Sequence, residues 1–301
     1  MGLLSKYGPN IRLIGDILQN AAREDSYRED ITAAARYCAD RFPDILNKLN
    51  DLDFGSKVPS KIFAVRPCSP GSRLSILTIP THFLAGTLGI ALSRNFAANR
   101  LSAFRMLDEH STLHNAAGWI FEIHAHAVLS DPTRDHLPTY IRDNLMPHHL
   151  PPPQRFISGL HALRTTGGPF NFYWRPQEPN FPGLDALIRV NNVVWGLQYM
   201  IGKTHREATD GLTKAHDIMN HNTGVQWCLV ILGATQSDAE HVRDHGTMLT
   251  GKWAAVPVYV GEIAIGNVTE PQLQDVINKV SKTTITHKPG INLRIDLWAG
   301  G

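Results

Sequence analysis

The stretch "FPGLDALIRVNNVVWGLQYMIGKTH", residues 181–205, holds two apolar runs joined by Asn191-Asn192, with Asp185 in the first run and Gln198 in the second. Apolar runs bounded by turn residues read as β-strands. Asn tolerates the left-handed backbone that a two-residue hairpin turn needs. With Asn191-Asn192 as that turn, Val190 faces Val193, and counting outward Asp185 faces Gln198. Directly opposed residues share a face, with Cβ atoms about 5 Å apart. The two-residue period puts Met200 on the face of Gln198, and Trp195, Leu197, Tyr199 and Ile201 on the other, which reads as core. A carboxylate beside a carboxamide can share a hard divalent cation such as magnesium. The same two groups can also simply hydrogen-bond each other.

Downstream, "REATDGLTKAHDIMNHN" (206–222) and "QSDAEHVRDHGTM" (236–248) have helical spacing. "VQWCLVILGA" (225–234) and "AAVPVYVGEIAI" (254–265) read as strands. "TEPQLQDVINKVSK" (269–282) opens with a Thr cap and an early Pro, a helix start. Strands alternating with helices imply crossovers and a largely parallel sheet, to which the hairpin adds an antiparallel pair. The expected fold class is therefore α/β with a mixed sheet flanked by helices.

Upstream, "FNFYW" (170–174) is a short strand candidate, and the Pro-rich "DNLMPHHLPPPQ" (143–154) reads as a loop. One long helical stretch is expected from Ser102 to about Leu129. Within it, Glu122 interrupts an apolar run, and His126 lies four residues on, on the same helical face. An isolated Glu–His pair at a helix edge accounts for that spacing as well. His124 and His126, like His148 and His149, point to different faces and make poor metal pairs. "KIFAVRP" (61–67) and "RLSILTIPT" (73–81) read as a hairpin around a Pro-Gly turn, and residues 10–50 read as helices.

The chain has 301 residues, 43% of them hydrophobic, enough to bury a sizeable core. A net charge of +2 does not by itself declare a nucleic-acid partner. Three scattered cysteines, with no CxxC pair, suit a reducing, intracellular compartment. No apolar run reaches a membrane-spanning length, and the start lacks a signal-peptide pattern. It matches a myristoylation start only loosely, because Lys6 stands where Ser or Thr is required.

Helix-Glu, strand-Asp, hairpin, strand-Gln is an order that resembles the PD-(D/E)xK nuclease-like fold. The closer likeness is to the C-terminal nuclease-like domain of crinkler and retrotransposon-hot-spot proteins. There, Phe-Glu on a helix precedes an aromatic and proline segment, a "fPaiDa" strand, a strand with Gln in the acidic slot and an "HPI"-like step. This chain shows Phe121-Glu122, "YWRPQEPNFPGLDALI" (173–188), "WGLQYM" (195–200) and "GKTH" (202–205) in that order. "IFAVRPCSPGSRLSILTIPTHFL" (62–84) resembles the hairpin joining the two halves of such proteins. "YGPNIRLIGDIL" (7–18) resembles the tail of their NTPase half, with Arg12 at the phosphate-sensing arginine. The resemblance divides the chain into a lid-like helical segment (1–55), a hairpin with a connecting helix (56–98) and a restriction-endonuclease-like domain (99–301). No P-loop occurs, so the chain reads as the C-terminal portion of a longer protein or a short member of the group.

The resemblance implies a metal-dependent endonuclease that hydrolyses phosphodiester bonds, with DNA as substrate. Asp185, Gln198 and Glu122 would hold Mg2+ or Mn2+, and Lys203 or His205 would position the attacking water. Arg175, Arg189, Arg206 and Lys214 are the candidate phosphate contacts. Implied partners are DNA and an NTPase domain or chain, with no membrane; an orphaned lid in the first 55 residues would instead expose an apolar face or self-associate to cover it. The setting is eukaryotic and compatible with the nucleus, although no basic cluster marks a nuclear signal. Met200 occupies the usual lysine position, which supports a second reading: a catalytically degraded module that binds nucleic acid or a protein partner. A Rossmann-type enzyme fits poorly, since no GxGxxG follows any strand.

Overall fold

A computed structural model describes residues 3–8, 10–42, 44–45, 59–67, 75–95, 100–109, 113–141, 146–165, 171–177, 181–200, 208–219, 224–245 and 249–264, with Leu273 and Asp275. Apart from Leu273 and Asp275, which are helical, the expected helix at 269–282 lies outside the described residues, as do the side chain of Arg12 and Lys203, His205 and Arg206. Helices α1 (Leu3–Tyr7), α2 (Ile11–Gln19) and α3 (Ala22–Asp40) come first. Asn10 caps α2 by accepting from the Leu13 N–H at 3.1 Å. Strands β1 (Ala64–Pro67) and β2 (Ser75–Thr78) form a separate antiparallel pair. Helices α4 (His82–Asn95), α5 (Arg100–Glu109) and α6 (His114–Ser130) follow. The single helix expected from Ser102 is thus two.

The remaining elements are β3 (Leu137–Ile141), β4 (His148–Leu150), β5 (Phe156–Ser158), α7 (Gly159–Thr165), β6 (Phe172–Arg175), β7 (Ala186–Val190), β8 (Val193–Met200), α8 (Ala208–Ile218), β9 (Gln226–Gly233), α9 (Gln236–His245) and β10 (Val258–Glu262). Their eight strands form one mixed sheet in the order β4-β3-β10-β9-β8-β7-β6-β5. Strands β8, β9 and β10 run parallel, linked through α8 and α9, and β7–β8 is the expected antiparallel hairpin. The mixed α/β class holds. The loop expected at 143–154 contains β4, which pairs with β3 at the sheet edge. Three-residue edge strands show no periodicity, and flanking prolines are tolerated there.

Both faces of the sheet are covered. Ile31 of α3, Leu88 of α4 and Phe121 of α6 join Ile188, Leu197 and Tyr199 in one cluster. On the other face Leu212 of α8 packs with Leu187, Val194 and Leu229, while Ala239 and Val242 of α9 pack with Met200, Ile231 and Val260. Alternate residues of β8 therefore enter opposite cores, which is why β8 and β9 are apolar almost throughout. Each fully buried Leu or Ile contributes about 1.5–3 kcal/mol. The N-terminal helices belong to the same cluster as the sheet: Tyr7, Ile17 and Ile31 are part of it. Leu4 and Leu18 stand exposed. No helix among the described residues is long and apolar enough to cross a membrane.

Helix α8 presses directly on the segment that delivers Asp185. A Cβ on Gly211 would overlap Pro182 O and lie 2.8 Å from Leu184 Cγ. Gly211→Ala gains about 1 kcal/mol of helix propensity. Overpacking costs about 1–3 kcal/mol, and a backbone oxygen cannot rotate away. With the overpacking cost at the upper end of that range, we expect net destabilisation by about 2 kcal/mol in urea unfolding. A variant as stable as wild type would refute this close approach.

Candidate functional site

The hairpin register is the one the Asn-Asn turn implies, from Val190↔Val193 through Ala186↔Leu197. Asn191 adopts φ 54°. The ladder then slips. The Asp185 N–H donates to Leu197 O at 2.9 Å, although Leu197 already partners Ala186. Two residues set against one is the signature of a β-bulge, which re-aims a side chain. The Asp185 carboxylate turns to accept from the Tyr199 N–H at 2.6 Å.

This corrects the expected Asp185–Gln198 pair. Gln198 is fully buried, and its amide nitrogen donates to Gly183 O at 2.6 Å. It shares the face of Met200, whereas Tyr199 faces α6. Met200 is sealed at 0% exposure against Ile231, Ala239, Val242 and Val260.

The acid that Asp185 does feel is Glu122. Helix α6 presents Glu122 and His126 one turn apart, and His126 Nε2 lies 3.3 Å from Glu122 Oε1. Strand β6 presents Tyr173 and Arg175 on one face, since they are two residues apart. Tyr173 OH bonds His126 Nδ1 and lies 2.7 Å from Tyr199 OH. Arg175 Nη2 is 3.9 Å from Glu122 Oε1, and His82 Nε2, from the first residue of α4, is 3.5 Å from Glu122 Oε2. The inner end of this cluster is buried, with His126 at 1% side-chain exposure. Its outer side chains are partly exposed: Glu122 keeps 28%, His82 20% and Arg175 15%.

Charge and hydrogen-bond chemistry orient the network. Burial raises the Glu122 carboxyl, but His82 and His126 together outweigh it and hold the group well below the usual carboxylate range. Burial, with Arg175 nearby, pushes His126 down to about 4, so its ring is neutral at pH 7. An ionised carboxylate only accepts, so we assign the His126 proton to Nε2. Nδ1 then accepts from Tyr173 O–H, and Tyr173 accepts from Tyr199 O–H. The chain runs Tyr199, Tyr173, His126, Glu122, every donor pointing toward the carboxylate. Burial raises both phenols. Asp185 differs: burial first, then the charge of Glu122, push its carboxyl up to about 8.

Tyr173→Phe keeps the packing but removes the hydroxyl that joins His126 Nδ1 to Tyr199 OH. Stripping a partner from buried polar groups costs about 1–3 kcal/mol. Chemical denaturation should show that loss, and an unchanged midpoint would contradict the chain.

Magnesium is held by oxygen ligands, commonly one or two carboxylates plus substrate phosphates. Glu122 and Asp185 are two such carboxylates, and a cation held by both would relieve the repulsion that raises Asp185. The Gln198 amide N–H is spent on Gly183 O. Among the described residues no cluster of three or more His, Cys, Asp or Glu side chains is arranged to hold a metal.

The other candidate cations scatter. Arg189 is buried at 3% and its Nε donates to Asn191 O at 3.2 Å, fastening the hairpin turn rather than offering a phosphate contact. Lys214 lies over the Phe181 ring at 4.7 Å, beside an open cavity of about 620 Å³ that Arg164 and Asp210 also line. That cavity is on the α8 face of the sheet. Sequence reasoning missed His82, Tyr173 and Tyr199. Tyr173 and Arg175 share a strand face by the two-residue period, a readable signal; nothing local links His82 to Glu122. Comparison of the chain with protein-family models, curated proteins and solved structures finds no match.

Proposed function

We propose that the Glu122–Asp185 crevice is the centre of a metal-dependent endonuclease acting on DNA, on a restriction-endonuclease-like variant of the mixed α/β sheet. The observation that carries this reading is the geometry around Glu122: His126 at 3.3 Å, His82 at 3.5 Å and Arg175 at 3.9 Å gather on one partly exposed carboxylate, and Asp185 senses its charge. Like charges placed together in a cleft are a marker of functional sites. Glu122 and Asp185 would hold Mg2+ or Mn2+, which when bound supplies a Lewis acid and an activated water. The chain's own residues orient the acids: His126 presents its N–H to Glu122, and the Tyr199 N–H fixes Asp185.

A second reading, a nuclease-like module that binds without cutting, is favoured by one observation. Met200 is sealed in an apolar pocket, so β8 brings no basic side chain from that position to Glu122 and Asp185.

Nicking of supercoiled plasmid by the full chain in Mg2+ or Mn2+, with and without chelator, tests the proposal. Chelator-sensitive nicking is the expected result. A folded protein that binds plasmid but does not nick it in either metal selects the second reading.

A further inference from the structure

We infer that Arg175 makes the phosphate contact at the centre of the crevice, an inference that rests on the function proposed above. Glu122 and Asp185 with one divalent cation are neutral, so an incoming phosphodiester leaves one net negative charge. One cation in the crevice balances it. Among the described residues Arg175 is the Lys or Arg side chain within ion-pair distance of Glu122.

Its position follows from the strand ladder. Trp174 pairs with Leu187, so Arg175 stands level with Ala186, the neighbour of Asp185. Its side chain is two residues from Tyr173 and so faces α6. At 3.9 Å from Glu122 Oε1 the guanidinium is outside the hydrogen-bond range of about 2.7–3.2 Å. Its donors are therefore not spent on that carboxylate. At 15% exposure the side chain is held by its surroundings yet reachable from the crevice. A planar guanidinium fork matches two phosphate oxygens at once, which an ammonium does not.

The other cations considered for this role are elsewhere. Arg189 is tied to the hairpin turn, and Lys214 sits on the opposite face of the sheet. Arg175 thus brings to the acid pair the positive charge that Met200 does not supply from β8.

The test compares wild type, Arg175→Ala and Arg175→Lys as full chains. The first probe is a fluorescein-labelled DNA duplex in Ca2+, titrated with salt. One lost phosphate contact lowers the log–log salt slope by about 0.9. Arg175→Ala should lose that much slope and about tenfold or more in affinity at low salt. Arg175→Lys should regain the slope but not all of the affinity.

The second probe is Mn2+ alone, followed by electron paramagnetic resonance. Removing a cation beside two carboxylates should tighten Mn2+ binding, by roughly threefold or more. General damage to the site would weaken DNA and Mn2+ binding together, so the opposite movement distinguishes a phosphate contact from a structural one. An unchanged salt slope in Arg175→Ala overturns the inference, even if wild type nicks plasmid. A reduced slope upholds it, even if wild type does not nick and the endonuclease reading falls.

Discussion

Asp185→Asn is expected to abolish metal-dependent nicking and, at pH 8, to make the folded protein more stable than wild type. Loss of a carboxylate ligand should slow nicking by about a hundredfold or more, roughly 2.7 kcal/mol of barrier. The stability gain comes from the same burial. The Asp185 carboxyl is pushed up to about 8 in the fold, against about 3.9 in an unfolded chain. Because the folded value is the higher one, its stabilising contribution is complete below about pH 4. It is lost as pH rises through about 8. Asn has no proton to lose and can still accept the Tyr199 N–H. The difference between variant and wild type should be near zero at pH 4 and grow to at least about 1 kcal/mol at pH 8–9. Urea unfolding at several pH values, beside the plasmid assay, measures both. Wild-type nicking by the variant, or a difference that does not change with pH, would remove Asp185 from the centre. Loss of activity coupled to gain of stability is the trade-off expected of a strained site.

Glu122→Gln should do the opposite to stability. Glu122 is held ionised by His82 at 3.5 Å and His126 at 3.3 Å. Removing one partner of a buried ion pair costs about 3–5 kcal/mol. With 28% of the side chain exposed, solvent screening reduces this to about 2 kcal/mol at pH 7. The folded carboxyl lies below its unfolded value. Its contribution is therefore present above about pH 4.3 and lost as pH falls through the folded value. The penalty of Glu122→Gln should shrink in acid, where the penalty of keeping Asp185 ionised also vanishes. The two acids also interact. In the Glu122→Gln background Asp185 loses its like-charged neighbour, so Asp185→Asn should stabilise less there than in wild type. A double-mutant cycle at pH 8 reads that coupling directly. Strict additivity would mean that the carboxylates do not sense each other.

These two predictions depend on features legible in the chain to different degrees. Glu122 and His126 meet because four residues make about one helical turn, and that pair is readable from spacing. The hairpin is readable too: Asn191 takes the left-handed turn, and the ladder follows from it as far as Ala186. At Asp185 local counting fails. The bulge there turns the carboxylate to the Tyr199 N–H, and Gln198 goes to Gly183 on the other face. Strands β4 and β5 escape for a related reason: three residues carry no period, and sheet neighbours supply their pairing.

The sequence by itself determined the alternation of strands and helices, the mixed sheet, the hairpin turn and the Glu122–His126 pair. Each follows from a backbone period or a turn residue acting over a few positions. Only the tertiary structure decided that His82, Tyr173, Arg175 and Asp185 converge on Glu122. Their meeting depends on how α4, α6 and three strands pack, and burial then sets the opposite electrostatic fates of two like carboxyls.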